Sequence, residues 1–402
     1  MSRHWPTNRL GDVLHLSDNA VPSTQLDEIN LAGVYSFGRG LFKRGPMSPQ
    51  DTSYKTYNRL VTDDYVISQP KAWEGALARV TPEFEGWFLS PVFPTFRANQ
   101  ERLLPTYLEW FCKRESVWLE LQRNSRGIGA RRESVLPEQF LSLEIPLPPL
   151  AEQRRLVARI EELAAQIHEA RALRLSATDE ASALFETTLA DLLTPHDQFW
   201  IRTTVSDVIE SMDAGWSPQC SEFPATEGEW GVLKTTAVQW CEFRPQENKA
   251  LPHTMQPIPT LSVCEGDVLV TRAGPRKRVG VVACVRKSHS QLTISDKIIR
   301  LRPKRNKINP RFLELSLASP FSQEHLVHRK TGLADAQVNI SQSILRSTPV
   351  AFPPLTEQRR IVAELDTLQA EVDTLKHHQR DTAAELDALL PAILDRAFRG
   401  EL

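Results

Sequence analysis

Apolar residues recur every three or four positions in two long stretches of the chain, 151–194 and 356–398. This spacing places them on one face of a helix and is typical of a coiled-coil seam. The first seam consists of Leu156, Ile160, Leu163, Ile167 and Ala170. The second consists of Ile361, Leu365, Leu368, Val372, Leu375, Gln379, Thr382, Leu386, Leu389 and Ile393. We therefore predict two long helices, and we expect Pro391 to kink the second one or to restart it.

The residues before and between these helices show a mixed pattern. Short apolar runs alternate there with proline and glycine, which predicts short strands and loops, with one helix near residues 105–122. Strand candidates in the second mixed region are Val263–Thr271, Val279–Val285 and Ile298–Leu301. The chain thus alternates twice between a globular module and a long helix.

A repeated sequence marks the start of each helix. The chain reads Pro148-Pro149-Leu150-Ala151-Glu152-Gln153-Arg154-Arg155-Leu156-Val157 and, 205 residues later, Pro353-Pro354-Leu355-Thr356-Glu357-Gln358-Arg359-Arg360-Ile361-Val362. The first five positions of the two seams coincide at the same shift. A period of this length indicates a duplicated unit of domain size rather than a solenoid.

Part of this motif is explained by a helix start. The paired prolines favour an extended approach, and Glu152 and Glu357 place negative charge where the helix dipole favours it. A helix start needs neither Gln153 nor Gln358, so we predict a shared packing or partner role for the motif. Its residues are Pro148, Pro149, Leu150, Glu152, Gln153, Pro353, Pro354, Leu355, Glu357 and Gln358.

Composition indicates an ordinary globular protein. The chain has 402 residues, of which 41% are hydrophobic and 24% charged, enough for two or three domains. No apolar run approaches the ~20 residues that a membrane span needs, and the first residues lack the apolar core of a signal peptide, so we expect a cytoplasmic protein that does not contact membranes. The five cysteines are scattered, which predicts reduced thiols rather than a disulfide framework or a metal site.

Positive charge is concentrated in the second mixed region, although the whole chain has a formal charge of -2. Between positions 272 and 311 there is one acid, Asp296, among thirteen basic residues. These are Arg272, Arg276, Lys277, Arg278, Arg286, Lys287, Lys297, Arg300, Arg302, Lys304, Arg305, Lys307 and Arg311. Such a cluster on one module favours binding to phosphates; a solvated basic face is the alternative.

Taken together, these features resemble a known family. Two dissimilar modules alternate with near-identical helices that open with Pro-Pro-Leu-x-Glu-Gln, and the chain ends in Ala397-Phe398-Arg399-Gly400-Glu401-Leu402. This order resembles the specificity subunits of type I restriction-modification systems over essentially the whole length. The resemblance implies an α+β fold with two globular α/β-mixed target-recognition domains, at 1–147 and 196–350. Two long antiparallel coiled-coil helices, at 148–195 and 351–402, would separate them.

The resemblance also implies partners. Each domain would read one half of a bipartite, asymmetric site in double-stranded DNA, and the helices would set the spacing and dock two methyltransferase subunits, joined by restriction subunits. S-adenosylmethionine, ATP and Mg would be used by those partners, and this chain would be non-catalytic, without cofactor or metal. The residues agree, since we find no Asp/Asn-Pro-Pro-aromatic motif, no phosphate-binding Gly-x-x-x-x-Gly-Lys-Ser/Thr loop and no nuclease-like acidic pair.

Candidate DNA contacts are basic and amide side chains in loops, because such groups pair with phosphates and with guanine or adenine edges. The segment Thr271–Gly280 resembles a Thr-Arg-x-Gly loop common in these domains, whereas nothing between 69 and 100 matches it. The predicted contacts are Lys43, Arg44, Lys55, Arg126, Arg131, Arg132, Arg272, Arg276, Lys277, Arg278, Lys297, Lys330, Gln337 and Asn339.

Two other interpretations remain open at this point. A coiled-coil interaction or scaffold protein that does not bind DNA would retain the seams, but it would need neither the basic cluster nor two dissimilar modules. A single-chain nuclease or methyltransferase would need catalytic motifs that the sequence does not show.

Overall fold

The computed structural model of this chain describes residues 5–124, 134–194 and 200–402. The chain divides into two compact units, residues 1–175 with 379–402 and residues 176–378. Each unit contains one globular module, the start of the long helix that follows that module, and the end of the other long helical stretch.

The first module contains strands β1 to β11 and helices α1 to α3. The strands are β1 (Thr7–Arg9), β2 (Leu14–Leu16), β3 (Ala20–Pro22), β4 (Ile29–Val34), β5 (Leu41–Met47), β6 (Thr56–Arg59), β7 (Tyr65–Ile67), β8 (Leu77–Arg79), β9 (Phe88–Leu89), β10 (Thr95–Ala98) and β11 (Glu144–Pro146). The helices are α1 (Pro105–Cys112), α2 (Glu115–Asn124) and α3 (Pro137–Leu141). The predicted helix near 105–122 is therefore two helices. The long helix α4 (Leu150–Leu193) follows.

The second module contains strands β12 to β26 and helices α5 to α8. The strands are β12 (Ile201–Thr204), β13 (Ile209–Ala214), β14 (Gly231–Leu233), β15 (Val238–Gln239), β16 (Glu242–Phe243), β17 (Asn248–Ala250), β18 (Ser262–Val263), β19 (Val268–Thr271), β20 (Ala273–Gly274), β21 (Val282–Cys284), β22 (His289–Thr293), β23 (Ile298–Pro303), β24 (Thr331–Ala334), β25 (Gln337–Asn339) and β26 (Pro349–Phe352). The helices are α5 (Val205–Val208), α6 (Pro310–Ala318), α7 (Pro320–Val327) and α8 (Gln342–Arg346), followed by α9 (Leu355–Asp381) and α10 (Ala383–Phe398).

Both modules contain the same central sheet. In the first module its strand order is β2-β10-β7-β8, in the second it is β13-β23-β19-β21, and all neighbours are antiparallel. A two-stranded pair, β1-β11 or β12-β26, joins the beginning of each module to the residues just before its Pro-Pro motif. The remaining sheets differ, and the first module has a five-stranded one, β3-β6-β9-β4-β5. The mixed α/β fold is confirmed, and the repeat extends through both modules.

Each module buries the start of its own helix. Leu156 and Ile160 of α4 belong to the first module's core, which also holds Phe398 of α10. Ile361 and Leu365 of α9 belong to the second module's core. The predicted seams are confirmed over their first five positions, which show the same degree of burial in both copies.

The end of the second seam is predicted wrongly. Helix α9 ends at Asp381, and α10 runs through Pro391 to Phe398, so the interruption lies at Thr382 and not at the proline. After it, Leu389 is exposed, and Leu394, Ala397 and Phe398 are buried instead. An interior proline removes one helical hydrogen bond and crowds the carbonyl four residues earlier. The apolar side chains that follow Pro391 pack in the first core, which offsets this cost.

Helices α4 and α10 pair within the first unit. Arg171 Nη2 lies 2.7 Å from Asp387 Oδ1, and Arg155 Nη2 donates to the carbonyl of Leu402 at 2.8 Å. Since residue numbers rise along one helix as they fall along the other, the two are antiparallel, as predicted.

A buried glutamine fixes each helix to its module. The Oε1 of Gln153 accepts a hydrogen bond from the Leu104 amide at 2.9 Å, and its Nε2 donates to the carbonyls of Arg102 and Pro148 at 2.7 and 2.8 Å. Gln153 is 0% exposed. We call this arrangement the glutamine latch.

The second helix has the same latch. Gln358, also 0% exposed, accepts from the Asn309 amide at 2.8 Å and donates to the carbonyls of Lys307 and Pro353 at 3.1 and 2.8 Å. All of these partners lie 205 residues beyond those of Gln153. The packing role predicted for this part of the motif therefore has an atomic basis. Glu152 and Glu357 instead pair with Arg155 and Arg360 of the same turn.

We predict that Gln153→Ala destabilises the first unit by about 3 kcal/mol, because it leaves one buried amide and two buried carbonyls without their partner. Urea denaturation followed by circular dichroism measures this. Gln166→Ala is the matched control, since Gln166 lies on the same helix and is exposed. Equal stability of both variants would contradict the latch.

Candidate nucleic-acid interface

Two loops that the sequence shows separately form one surface in the second module. The basic loop, residues 272–280, follows β19, and the end hairpin, residues 331–339, precedes Ile340. Strands β20, β25 and β24 join them in a three-stranded sheet in which Ala273 pairs with Asn339 and Gly274 with Val338. The Ile340 amide also donates to the Arg272 carbonyl at 2.9 Å. The structure thus brings together predicted contacts that lie about 60 residues apart in sequence.

Ionic contacts reinforce this junction. Arg276 Nε lies 2.7 Å from Asp335 Oδ1, and the Arg276 amide donates to the Asp335 carbonyl at 2.8 Å. Lys330 Nζ donates to the Arg276 carbonyl at 3.1 Å. Burial and the nearby Arg276 charge lower the pKa of Lys330. Arg276 and Lys330 therefore position the loop, and Asp335 offsets part of the positive charge.

Arg278 is turned into the module. Its guanidinium donates to Gln239 Oε1 at 2.8 Å and to the carbonyls of Thr235 and Val238 at 2.7 Å each. Burial lowers the pKa of Arg278, and the charge of Arg244 adds to this effect. Three N–H groups of Arg278 thus donate inside the protein, which gives this side chain a structural role. Its contact with DNA stays a prediction.

Most of the other predicted residues of this surface have side chains without a partner among the described residues. The side chains of Arg272, Lys277 and Lys297 make no hydrogen bond or ion pair with the described residues. Lys277 and Lys297 are exposed, whereas Arg272 is half-buried. The Arg272 amide donates to the Lys297 carbonyl at 2.8 Å, which places these two residues together. Gln337 is exposed, and Asn339 accepts a hydrogen bond from the Thr331 hydroxyl at 3.0 Å.

Part of the thirteen-residue basic cluster is buried or paired inside the module, so the cluster does not form one continuous basic face. Arg300 is 2% exposed and lies 2.8 Å from Asp213 Oδ2. Arg311 is also buried, where it pairs with Glu314 and lies 2.8 Å from Asp366 Oδ1. Burial raises the pKa of Glu314, although Arg311 opposes the shift. Charges that neutralise each other in the interior cannot attract a ligand, so the effective patch is smaller than the sequence indicates.

In the first module the predicted contacts are spread out. Lys43 is exposed on β5, and its ammonium lies 5.2 Å from the Trp87 ring centre. Arg44 and Lys55 are exposed, and their side chains make no hydrogen bond or ion pair with the described residues. Arg126, Arg131 and Arg132 lie outside the described residues. Among the described positions, Lys43, Arg44 and Lys55 are not joined by contacts like those that link the two loops of the second module.

Neither a metal site nor a membrane-spanning helix is found in the described part of the chain. It contains no group of three or more His, Cys, Asp and Glu side chains arranged to hold a metal ion. None of its helices is both long and apolar enough to cross a membrane.

The comparisons with known proteins point to one family. Residues 242–385 match the family model described as the type I restriction modification DNA specificity domain. Among solved structures, the HsdS subunit from Thermoanaerobacter tengcongensis is 26% identical with a TM-score of 0.66, and the match covers 100% of this chain and 98% of that one. This chain is therefore similar to type I restriction-modification specificity subunits, in sequence over part of its length and in fold over all of it.

Other proteins with the same description are also similar to this chain. A chain from a structure of the type I R-M system, described in terms of complex assembly and conformational transition, has a TM-score of 0.76 and 25% identity, with 100% of both chains covered. The specificity subunit of the Escherichia coli type I restriction enzyme EcoEI is 43% identical over 200 residues, or 50% of this chain. That of EcoKI, from strain K12, is 27% identical over 302 residues, or 69% of this chain. These matches span 34% and 62% of the two relatives, less than two thirds of either.

The second module contains basic residues of two kinds, because Arg278 is turned inward and Lys277 is exposed. We predict that Arg278→Ala destabilises this module by about 2 kcal/mol, because three internal hydrogen bonds are lost. Lys277→Ala, one position away and exposed, should change the free energy of unfolding by less than about 0.5 kcal/mol. Urea denaturation distinguishes them, and an unaffected Arg278→Ala variant would argue against a structural role.

Proposed function

We propose that this chain is the sequence-specificity subunit of a type I restriction-modification complex. Each globular module reads one half of a bipartite, asymmetric site in double-stranded DNA, and the two helical stretches hold the modules and dock two methyltransferase subunits. Restriction subunits join that complex. The chain itself is non-catalytic, and S-adenosylmethionine, ATP and Mg serve the partner subunits. In this proposal the protein is cytoplasmic, together with the DNA and the partner subunits.

One observation carries this proposal: the same scaffold occurs twice with different loops on it. The central sheet, the closing strand pair and the glutamine latch recur in both modules. The loop that follows β19 carries outward-facing basic side chains, which suit phosphates and guanine edges. A protein that reads two different half-sites needs this combination of constant support and variable surface.

A scaffold protein without a DNA role explains less. It accounts for α4, α9 and α10, but it gives no reason for Arg272 and Lys277 to face outward on a loop braced by a second hairpin. An enzyme needs a reactive constellation, and the proposal assigns the adenine chemistry to a partner that can extrude the base from the duplex.

We predict that Lys277→Ala weakens DNA binding and lowers the slope of log K against log salt by about 1, because one phosphate contact is lost. Fluorescence anisotropy with a duplex carrying the recognised site measures this, using the full chain with its methyltransferase subunits. Lys307→Ala is the control, since Lys307 is exposed but follows the end of β23 remote from Arg272.

Two outcomes would contradict the proposal. A wild-type complex that selects no DNA sequence would remove the specificity role. Methylation of DNA by this chain alone would overturn its assignment as the non-catalytic subunit.

A further inference from the structure

The first module has a loop that corresponds to the basic loop, although no sequence motif marks it. Strand β7 occupies the position of β19 in the central sheet, and β8 occupies that of β21. The segment between β7 and β8, residues 68–76, therefore takes the place of residues 272–281. We call residues 69–75 the counterpart loop.

Backbone hydrogen bonds establish which residues correspond. The Gln69 amide donates to the Val92 carbonyl at 3.0 Å, as the Arg272 amide donates to that of Lys297 at 2.8 Å. The Gln69 carbonyl accepts from the Val135 amide at 2.8 Å, as that of Arg272 accepts from Ile340 at 2.9 Å. Gln69 thus has the same two backbone partners, at positions shifted by 205 residues.

The two loops also close in the same way. The Ser68 amide donates to the Ala76 carbonyl at 2.9 Å, and the Thr271 amide donates to the Val281 carbonyl at 3.0 Å. Both loops end in a left-handed glycine, Gly75 with φ 77° and Gly280 with φ 86°. The counterpart loop is two residues shorter than the basic loop and has different side chains. For these reasons the correspondence is not visible in the sequence.

Neither side chain at this position is used inside the protein. Gln69 and Arg272 are both half-buried, and neither side chain makes a hydrogen bond with the described residues. Their backbones, in contrast, are tied on both sides. Direct reading of a base edge requires a polar side chain that is free to bond the base and a backbone that is already fixed. Binding then costs little conformational entropy, because the backbone does not have to be ordered.

The surroundings hold the counterpart loop in place. The tip of the β4–β5 hairpin packs on it, with the Phe37 amide donating to the Glu74 carbonyl at 2.8 Å and the Gly38 amide to that of Gly75 at 2.9 Å. This tip also carries Arg39, which is exposed. The counterpart loop therefore has rigid support and a basic neighbour, as the basic loop has in the end hairpin and Lys330.

We infer that Gln69 is a specificity-determining residue of the first module and reads an adenine in its half-site, in the place where Arg272 of the second module reads a guanine. A glutamine amide can accept from N6 and donate to N7 of adenine, whereas an arginine donates twice to guanine. The inference rests on the proposed function, because it presupposes that each module reads a half-site.

The test uses the full chain with its methyltransferase subunits and a library of double-stranded DNA in which every position of the site is varied. Gln69→Ala should reduce the preference at one base pair of one half-site by roughly 5- to 150-fold, with the other half-site unchanged. Arg272→Ala should act in the same way on the other half-site. Gln69→Arg should shift the preferred base from adenine to guanine. Gln25→Ala, an exposed glutamine of the same module, should have no effect.

Each outcome is informative. A wild-type complex that selects no sequence refutes the proposed function and this inference together. A complex that selects a bipartite site, with Gln69→Ala retaining full selectivity at every position, overturns the inference alone. Thermal unfolding is measured in parallel, and a large loss of stability in Gln69→Ala would show that the side chain is structural, which also overturns it.

Discussion

The glutamine latch is the interaction on which the rest of the structure depends. A long helix can leave a globular domain in many directions, and only a contact that is both directional and buried selects one of them. Gln153 and Gln358 each supply one acceptor and two donors to three backbone groups that have to be satisfied in the interior. Glutamate lacks the donors and asparagine lacks the reach. This explains in physical terms why the glutamine is identical in the two copies, whereas the position two residues before it is Ala151 in one and Thr356 in the other.

The same reasoning separates what is constant from what varies between the modules. The positions that recur are those where two segments are joined by backbone hydrogen bonds. Examples are the Leu10 amide, which donates to the Leu143 carbonyl, and the Val205 amide, which donates to the Thr348 carbonyl. Buried acids recur as well, since Asp64 pairs with Arg97 and Asp267 with Arg302 on equivalent strands. Side chains that face outward from these supports are not constrained in this way. Two modules can therefore keep one architecture and present different chemistry.

Features that depend on neighbouring residues were predictable from the sequence. Three- and four-residue spacing located α4 and α9, and apolar runs located β19, β21 and β23, because side-chain periodicity is a local property. Features that depend on distant residues were not. Arg300 finds Asp213, and Arg311 finds Asp366, across segments of the chain whose pairing no local pattern specifies. The interruption at Thr382 was not predictable either, because no proline or glycine marks it in the sequence.

The candidate interface follows the same division. Its charged residues were recognisable as a cluster, but only the fold shows which of them are neutralised. Arg300 and Arg311 are buried in ion pairs, Arg278 is turned inward, and Asp335 offsets Arg276. Besides Arg278, seven of the thirteen cations make no ion pair with the described residues: Arg272, Lys277, Lys287, Lys297, Lys304, Arg305 and Lys307. Non-specific affinity for DNA depends on the number of phosphate contacts that such cations make. The buried and paired cations instead hold the loops in place, so we expect discrimination between sequences to depend on the side chains that these loops present to base edges.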